Sequence, residues 1–432
     1  MAQSNPKMAL KPEHELEITA LSYGPYGIGR VEGKAVMVPQ TAPGDRVRAR
    51  LVDSKPRYAL GELVGVVHPS QERQVPPCPY AGRCGGCPWQ HLRYAAQLDA
   101  KQRSVEDALR RIGGLADFEL RPIIAAVDEY HYRRRIRLRV DPAHRLGFHG
   151  AASHHLIEVE SCLIGAAPLN RAIEPLRRWL ADLHTGIDQI ELVSGDAADE
   201  LVAVAHSVEP IAPIDQSACE ALVRSQTING LIAKTSTRRA VWGRPWITLA
   251  VEDDLPLQLD ADVFTQVNAE GNREMLRQLT ALANFHHQDR LLELYCGAGN
   301  FTLPLARRVD RVTAVEAKRT AIANGKLNAQ HFGSENIQWI CADVPHALKP
   351  LVRQRQKFSK IVLDPPRAGA KGLAADLAAL NAGIIAYISC DPATLARDLA
   401  ALSQQGYKLG VVQPMDFFPH TFHVETLALL TR

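Results

Sequence analysis

The sequence predicts an α/β protein of three domains. Its 432 residues exceed the roughly 250 to 300 at which a single hydrophobic core stops growing. Short runs of alternating apolar and polar residues fill the first 70 positions, as in a small β-barrel. From residue 266 onward, strands alternate with helical runs, which is typical of a doubly wound parallel sheet. With 46% hydrophobic and 22% charged residues, the composition excludes wholesale disorder.

Residues 1–70 are expected to form the barrel, with turns at Glu32-Gly33-Lys34 and Pro43-Gly44-Asp45. Residues 1–150 hold 23 Lys and Arg against 16 Asp and Glu, whereas the remainder is net acidic. This charge distribution is consistent equally with a polyanion partner for the N-terminal third and with a merely solvated surface, and charge alone does not choose between them. The stretch YGPYGIGRVEGKAVMVPQTAPGD resembles the TRAM domain, a small RNA-binding barrel found in RNA-modifying enzymes.

Residues 71–262 are predicted to form a central α+β domain, with a helix over about 92–113 for which the C-terminal domain is one candidate packing surface. In YHYRRRIRLRV, alternate arginines fall on one face of a strand, namely Arg133, Arg135, Arg137 and Arg139. Guanidinium groups in a row repel each other unless phosphates or acids face them. The pattern favours contact with an RNA backbone through Arg133 and Arg135 over a solvated edge strand.

Three cysteines of this region have the spacing C-x5-C-x2-C: Cys78, Cys84 and Cys87. Cys162, in VESCLIG, is the best fourth ligand for a tetrahedral sulfur site. Four thiolates suit zinc or an iron–sulfur cluster. The spacing alone leans towards zinc, with a C-G-G-C dithiol as a third choice. Buried structural roles are expected for Cys219, Cys296 and Cys341.

Residues 263–432 are predicted to form the α/β domain, whose last two strands pair as an antiparallel hairpin. The first strand ends in ELYCGAGN, which lacks the G-x-G-x-x-G of dinucleotide sites. Glu316 ends the second strand, where an acid can accept ribose hydroxyls, and Asp343 ends the third, within reach of an adenine amine. This combination resembles the S-adenosylmethionine site of Rossmann-like methyltransferases.

The fifth strand ends in Ser389-Cys390-Asp391-Pro392, where Asp391 is expected to cap the next helix. Cys390 then lies at a helix N-terminus, where the dipole favours a thiolate nucleophile. A thiolate that adds to carbon 6 of uracil makes carbon 5 nucleophilic towards a methyl donor, and a base must then remove the carbon 5 proton. Glu425, His420 and His423 are the candidates for that base, and spacing does not choose among them.

The chain resembles the RNA uracil-5-methyltransferase family in six motifs taken together: FTQVN, ELYCGAGNFTLP, VEA, LDPPRAG, SCDPATLARD and PHTFHVE. With the barrel and the cysteines, the chain is similar to its RumA/RlmD branch, which acts on 23S ribosomal RNA at uracil 1939. The resemblance implies Cys390 as nucleophile, Glu425 as base and a 4Fe-4S cluster on Cys78, Cys84, Cys87 and Cys162. It also implies that Phe264 lies near the target base, and that S-adenosylmethionine is bound by Gln266, Tyr295, Asn300, Glu316, Asp343 and Asp364. Asp364-Pro365-Pro366 for Asp-Pro-Ala and Tyr295 for Phe are departures that leave the chemistry intact.

Three alternatives remain: another rRNA or tRNA uracil-5 methyltransferase, a cytosine-5 RNA methyltransferase, and an RNA-binding, cluster-dependent sensor without activity. The start MAQSNPKMALKPEHE has no signal-peptide core, and no apolar run reaches the roughly 18 residues that span a bilayer. We therefore expect a cytoplasmic protein without membrane contact, a monomer.

Overall fold

The computed structural model describes residues 12–197 and 199–432, so the first eleven residues of the predicted barrel domain lie outside the described residues. Five strands close into a barrel in the order β1-β2-β3-β5-β4. They are β1 (Glu13–Leu21), β2 (Tyr26–Val31), β3 (Lys34–Pro39), β4 (Arg46–Ser54) and β5 (Tyr58–His68). Alternate apolar residues such as Leu16, Ile18 and Val47 point inward and fill the barrel. The predicted barrel is confirmed.

The central region begins with helix α1 (Tyr94–Asp107), continued by a π-helical turn (Ala108–Ile112), and with the short strand β6 (Glu119–Leu120). A seven-stranded sheet follows, in the order β13-β12-β11-β10-β7-β8-β9. Its strands are β7 (Arg135–Val140), β8 (Leu146–His149), β9 (Leu156–Glu158), β10 (Ile187–Ser194), β11 (Leu201–Ser207), β12 (Gly230–Lys234) and β13 (Arg239–Gly243). Helices α2 (Ala167–Ala181) and α3 (Gln216–Arg224) pack on it, and the hairpin of β14 (Trp246–Glu252) and β15 (Leu255–Asp260) ends the region.

The C-terminal region contains an eight-stranded sheet in the order β18-β17-β16-β19-β20-β22-β21-β6. Its own strands are β16 (Arg290–Leu294), β17 (Arg311–Glu316), β18 (Ile337–Cys341), β19 (Lys360–Leu363), β20 (Ile384–Ser389), β21 (Lys408–Met415) and β22 (Glu425–Thr431). The helices are α4 (Ala269–Ala283), α5 (Thr302–Ala306), α6 (Arg319–His331), α7 (Val344–Arg353), α8 (Ala374–Ala379) and α9 (Pro392–Gln404). Apolar clusters cover both faces of the sheet, as expected for a doubly wound fold.

The seven predicted strands of this domain are confirmed, as is the antiparallel pairing of β21 with β22. Their connection is longer than the expected turn: residues 416–424, here called the catalytic loop, lie between them. No helix of the described ranges is long and apolar enough to cross a membrane.

Two segments assigned by sequence to the central domain also pack on the C-terminal domain. Strand β6 extends its sheet by pairing in parallel with β21. In the hairpin, the backbone amides of Gln258 and Asp260 donate to the side chains of Asn328 and Asn324 on α6. The boundaries at 70/71 and 262/263 stay predictions, because the regions share cores across the second of them.

A buried ion pair joins α1 to the catalytic loop. Lys101 Nζ lies 2.6 Å from Asp416 Oδ1, and both side chains are fully shielded from solvent. The ammonium also donates to the carbonyl of Phe418 at 3.0 Å. A buried charge without its partner is costly, so this pair fixes the position of the loop relative to the helix.

We predict that Lys101→Met, which leaves the Asp416 charge buried alone, destabilises the fold by about 3–5 kcal/mol. The measurement is the shift of the urea-unfolding midpoint. Arg103→Met on the same helix is the matched control, because its pair with Asp99 is exposed and such pairs contribute little. Equal shifts for the two variants would contradict the prediction, whereas Lys101→Met with Asp416→Leu should recover part of the loss.

Candidate active site

The carboxyl ends of three parallel strands and the start of an antiparallel one meet at a single edge of the sheet. Ser389, the last residue of β20, pairs with Thr426 on β22. Since these strands are antiparallel, the next residue, Cys390, lies across from Glu425. Leu363 pairs with both Leu294 and Tyr387, so Asp364 lies at the same edge. The topology therefore brings a thiol and two carboxyl groups together from distant positions in the sequence.

The glycine-rich turn after β16 is shaped by three residues with left-handed backbones: Tyr295 (φ 63°), Gly297 (φ 57°) and Gly299 (φ 95°). Glu316 at the end of β17 closes the turn. One of its carboxylate oxygens accepts from the Gly297 amide at 3.1 Å, and the other accepts from the Lys318 amide at 2.8 Å. The acid therefore lies against the turn, where the ribose of a bound nucleoside is expected.

A cavity opens between this turn, the start of α4 and the β14–β15 hairpin. Five of the predicted site residues line it, namely Phe264, Gln266, Tyr295, Asn300 and Asp364. Glu316 and Asp343 are not part of this lining. Asp343 is exposed at the N-terminus of α7. Burial of the Tyr295 ring and, to a smaller extent, the charge of Asp343 raise the pKa of Tyr295 to about 12. Asn272, which sequence reasoning missed, also lines the cavity and exchanges two amide hydrogen bonds of 2.8 Å with Asn300.

The acids at this edge are held away from water. Burial raises the pKa of Glu293 and of Glu425 to about 8, and the nearby Asp364 adds to both shifts. Burial likewise raises the pKa of Asp364 to about 7. One carboxyl oxygen of Glu293 has no hydrogen-bond partner in the protein. Crowded, desolvated carboxyl groups favour a cation in the cavity, and the sulfonium and ammonium groups of S-adenosylmethionine fit that requirement.

Glu293 lies in the motif ELYCGAGN, and the sequence pattern predicts no role for it. Its position inside the apolar strand RLLEL indicates a buried acid, because the strands of a doubly wound sheet are buried on both faces. A buried acid is a candidate functional residue.

Cys390 lies half-buried just before α9, whose N-cap is Asp391, as predicted: its carboxylate accepts from the Thr394 amide at 2.8 Å. The expectation of a thiolate is wrong for the free protein. Burial, followed by the charges of Glu425, Asp364 and Asp391, raises the thiol pKa to about 11, although Arg367 opposes the shift. Desolvation and three neighbouring acids outweigh the helix dipole here.

The two histidines of the catalytic loop are both neutral. Burial lowers the pKa of His420 to about 4, and its ring stacks on Tyr130 with centroids 4.4 Å apart. Burial and the nearby Arg367 lower the pKa of His423 to about 4, and Arg367 Nη2 lies 3.1 Å from His423 Nε2. Imidazoles with such low pKa values are weak proton acceptors at neutral pH, so Glu425 is the better candidate base.

The four predicted cluster cysteines, Cys78, Cys84, Cys87 and Cys162, line a second cavity, of about 170 Å³. Within the described part of the chain, no three His, Cys, Asp or Glu side chains are grouped as ligands of a single metal ion. Cys219 and Cys296 are buried as expected, but Cys341 is exposed, because its edge strand β18 leaves the side chain in solvent.

The arginine ladder is only partly as predicted. Arg133 precedes β7 and lines the cysteine cavity, where its Nε has no protein partner. Arg135 has protein partners instead of the expected phosphates: it pairs with Glu191 and donates to the carbonyls of Ala261 and Val263 at 2.7 Å. Arg137 pairs with the same glutamate. Glu191, on the neighbouring strand β10, therefore offsets the repulsion between these arginines, a role that the sequence pattern had led us to expect of RNA phosphates.

Comparisons with known proteins agree with this geometry. A TRAM domain model matches residues 13–64. The model described as tRNA (uracil-5-)-methyltransferase matches residues 93–432. The chain belongs to the tRNA (uracil-5-)-methyltransferase family. It is therefore an S-adenosylmethionine-dependent methyltransferase that acts on carbon 5 of uracil in RNA.

Relatives within this family match over nearly their whole length. An uncharacterized RNA methyltransferase of Thermosynechococcus vestitus is 35% identical, covering 96% of this chain and 97% of that protein. The 23S rRNA (uracil(1939)-C(5))-methyltransferase RlmD of Yersinia enterocolitica is 32% identical, covering 98% and 97%. The structure of Pyrococcus abyssi tRNA (uracil-54, C5)-methyltransferase in complex with S-adenosyl-L-homocysteine has a TM-score of 0.74 at 22% identity, covering 97% of this chain and 100% of that one.

The raised pKa of Cys390 predicts slow alkylation of the free methyltransferase at pH 7. The rate should increase about tenfold per pH unit until it levels off near pH 11, since only the thiolate reacts. Glu425→Gln removes a negative neighbour, so it should lower the thiol pKa and speed alkylation at pH 8 to 9. Peptide-resolved mass spectrometry after iodoacetamide pulses measures both, with the exposed Cys341 as internal reference. A plateau near pH 7 in the unmodified protein would contradict the assignment.

Proposed function

We propose that this protein methylates carbon 5 of a uridine in 23S ribosomal RNA, at the position that corresponds to uracil 1939. The observation that carries the chemistry is the placement of Cys390 across from Glu425, at the same end of the sheet as Asp364, which lines the cofactor cavity. Similarity to RlmD proteins over almost the entire chain supports the choice of RNA. The basic surplus of the first 150 residues and the TRAM barrel supply the surface that a polyanion requires.

In the proposed reaction, the Cys390 thiolate adds to carbon 6 of the uracil, and electron density moves to carbon 5. S-adenosylmethionine supplies the methyl group. Glu425 then takes the carbon 5 proton, and the thiolate leaves as the double bond re-forms. A cation close to Cys390 lowers the thiol pKa, so we infer that the nucleophile is activated only when the methyl donor is bound. The raised pKa of Glu425 suits a group that must accept a proton near neutral pH.

The remaining site residues divide by position. Gln266, Tyr295 and Asn300 line the cavity beside the glycine-rich turn and are proposed to hold S-adenosylmethionine, together with Glu316, Asp343 and Asp364. Phe264 lines the same cavity with 62% of its surface exposed. An exposed aromatic ring at a cofactor cavity can stack on an unpaired base, so we propose that it receives the flipped uracil.

We predict that, with S-adenosylmethionine present, a 23S ribosomal RNA fragment spanning uracil 1939 and containing 5-fluorouracil traps the enzyme covalently, because after methyl transfer the fluorine on carbon 5 cannot leave as the proton does. Denaturing electrophoresis measures the adduct. Cys390→Ala should abolish it. Glu425→Gln should accumulate an adduct with ordinary RNA and turn over at least about 100-fold more slowly, the usual loss when a general base is removed.

A tRNA with the same substitution is the control substrate, and Cys341→Ala is the control variant. Equal trapping of Cys390→Ala would show that the nucleophile is wrong. Faster trapping of tRNA would replace the ribosomal substrate with a tRNA. Methylated cytidine in the product would favour the cytosine-5 alternative, and no transfer to any RNA would favour the inactive sensor.

We also propose that Cys78, Cys84, Cys87 and Cys162 hold a 4Fe-4S cluster. Support comes from their arrangement around one cavity of about 170 Å³, and four thiolates suit such a cluster. Such a cluster would tie residues 78–87 to the start of α2. Neither the thiolate addition nor the proton removal uses an electron, so its contribution would be structural.

Protein purified without oxygen should contain about four iron atoms per chain and absorb broadly near 400 nm, as thiolate-bound clusters do. Cys87→Ser should lose most of the iron and the absorbance. Cys219→Ser, a buried cysteine outside the cavity, should keep both. Stoichiometric zinc without absorbance would support the zinc site instead.

A further inference from the structure

Three aromatic side chains from three regions of the chain meet beside Cys390. Tyr23 comes from the turn between β1 and β2, Trp89 from the segment after Cys87, and Phe422 from the catalytic loop. The Phe422 ring contacts the other two edge-on, with centroids 5.6 Å from Tyr23 and 6.4 Å from Trp89. We call these three residues the aromatic junction. It joins three parts of the chain at one point: the barrel, the catalytic loop and residues 78–89, here called the cysteine segment.

The barrel touches the nucleophile directly through this junction. The Tyr23 hydroxyl donates to the carbonyl oxygen of Cys390 at 2.9 Å. That carbonyl lies one residue before the N-cap of α9, and the first backbone hydrogen bond of the helix, from the Leu395 amide, goes to the carbonyl of Asp391 instead. The helix therefore cannot anchor Cys390 through its carbonyl, but Tyr23 does. Burial and the neighbouring acids raise the pKa of Tyr23, so the phenol keeps the proton that it donates.

Trp89 anchors the other two members of the junction. Its indole Nε1 donates to the carbonyl of Gly24 at 3.1 Å, which fixes the turn that presents Tyr23. Its backbone amide donates to the carbonyl of His420 at 3.0 Å. The amide of His420 in turn donates to the side chain of Gln97 at 2.7 Å. Since Trp89 is 1% exposed, these bonds are shielded from water.

We propose that Tyr23 and Trp89 are positioning residues for methyl transfer. Through Tyr23, the TRAM barrel holds Cys390 in the attacking position, in addition to any contact that the barrel makes with RNA. Through Trp89, the cysteine segment holds the loop that leads to Glu425. This inference rests on the proposed role of Cys390. It assigns the barrel a second task, one that an RNA-binding module alone would not need.

The inference predicts a loss in the chemical step with RNA binding intact. Tyr23→Phe keeps the ring on Phe422 and removes only the hydroxyl. We expect covalent trapping by 5-fluorouracil RNA at saturating RNA to slow about tenfold, the usual effect of one lost hydrogen bond. The Kd for RNA and for S-adenosylmethionine should stay within about twofold. Tyr26→Phe, at the start of β2 directly after the same turn, is the matched control. Within the described residues its hydroxyl donates to no catalytic group, so it should trap at the normal rate.

Trp89→Phe tests the second contact. It should slow trapping in the same direction, and the double variant should lose less than the product of the two effects, because both act through one turn. Thermal melting and iron content of Trp89→Phe separate misfolding or cluster loss from misplacement of the loop. A folded, iron-containing Trp89→Phe that traps at the normal rate would remove Trp89 from the proposal.

Two results would overturn the inference while leaving the function in place. The first is unchanged trapping by Tyr23→Phe. The second is a weaker Kd for RNA with normal trapping at saturation, which would make Tyr23 an RNA contact. If the unmodified protein forms no adduct, the assigned nucleophile fails and the inference falls with it, so the two failures are distinguishable.

Discussion

The active site depends on keeping several acids and one thiol out of water at a single edge of a sheet. Glu293, Asp364 and Glu425 have raised pKa values because burial destabilises their charged forms more than the surrounding groups stabilise them. Such a group of acids is costly for the free protein and is relieved by a cation. Under the proposed function, such buried acids favour a positively charged methyl donor over its neutral product, S-adenosylhomocysteine.

The second constraint is that Glu425 follows a long loop whose polar contacts come from distant parts of the chain. Residues 416–424 pack on the C-terminal domain through Phe417 and Val424. Their polar groups bind earlier residues: Lys101 binds Asp416, Gln97 binds His420, and Tyr132 donates to the carbonyl of Pro419 at 3.2 Å. Helix α1 and the segment before it thus complete a domain to which, by sequence position, they do not belong. Part of the region 71–262 therefore packs against the C-terminal domain.

Local pattern predicted much of this structure, and long-range contact decided the rest. The barrel strands, the seven strands of the C-terminal sheet and the N-cap at Asp391 follow from periodicity and capping residues that lie within a few positions of each other. Cys390 and Glu425 were identified by their motifs and by resemblance. The raised pKa of the Cys390 thiol was not predicted, because it arises from burial and from acids that the folded sheet brings together from distant positions in the sequence. Arg135 was misassigned for the same reason: its partner Glu191 is 56 positions away, and nothing near either residue indicates the pair.

The strand order has a consequence for how the protein folds. Strand β22 lies between β20 and β21, and β6 joins the sheet through β21. Neither β21 nor β6 has a sheet to pair with until β22 has been inserted. The half formed by β16 to β20 can assemble first, since its connections are local, and the insertion of β22 then brings Glu425 to Cys390. Glu425 thus arrives in the same step that closes the sheet, so an incompletely folded chain has the glycine-rich turn but not the proposed pair of Cys390 and Glu425.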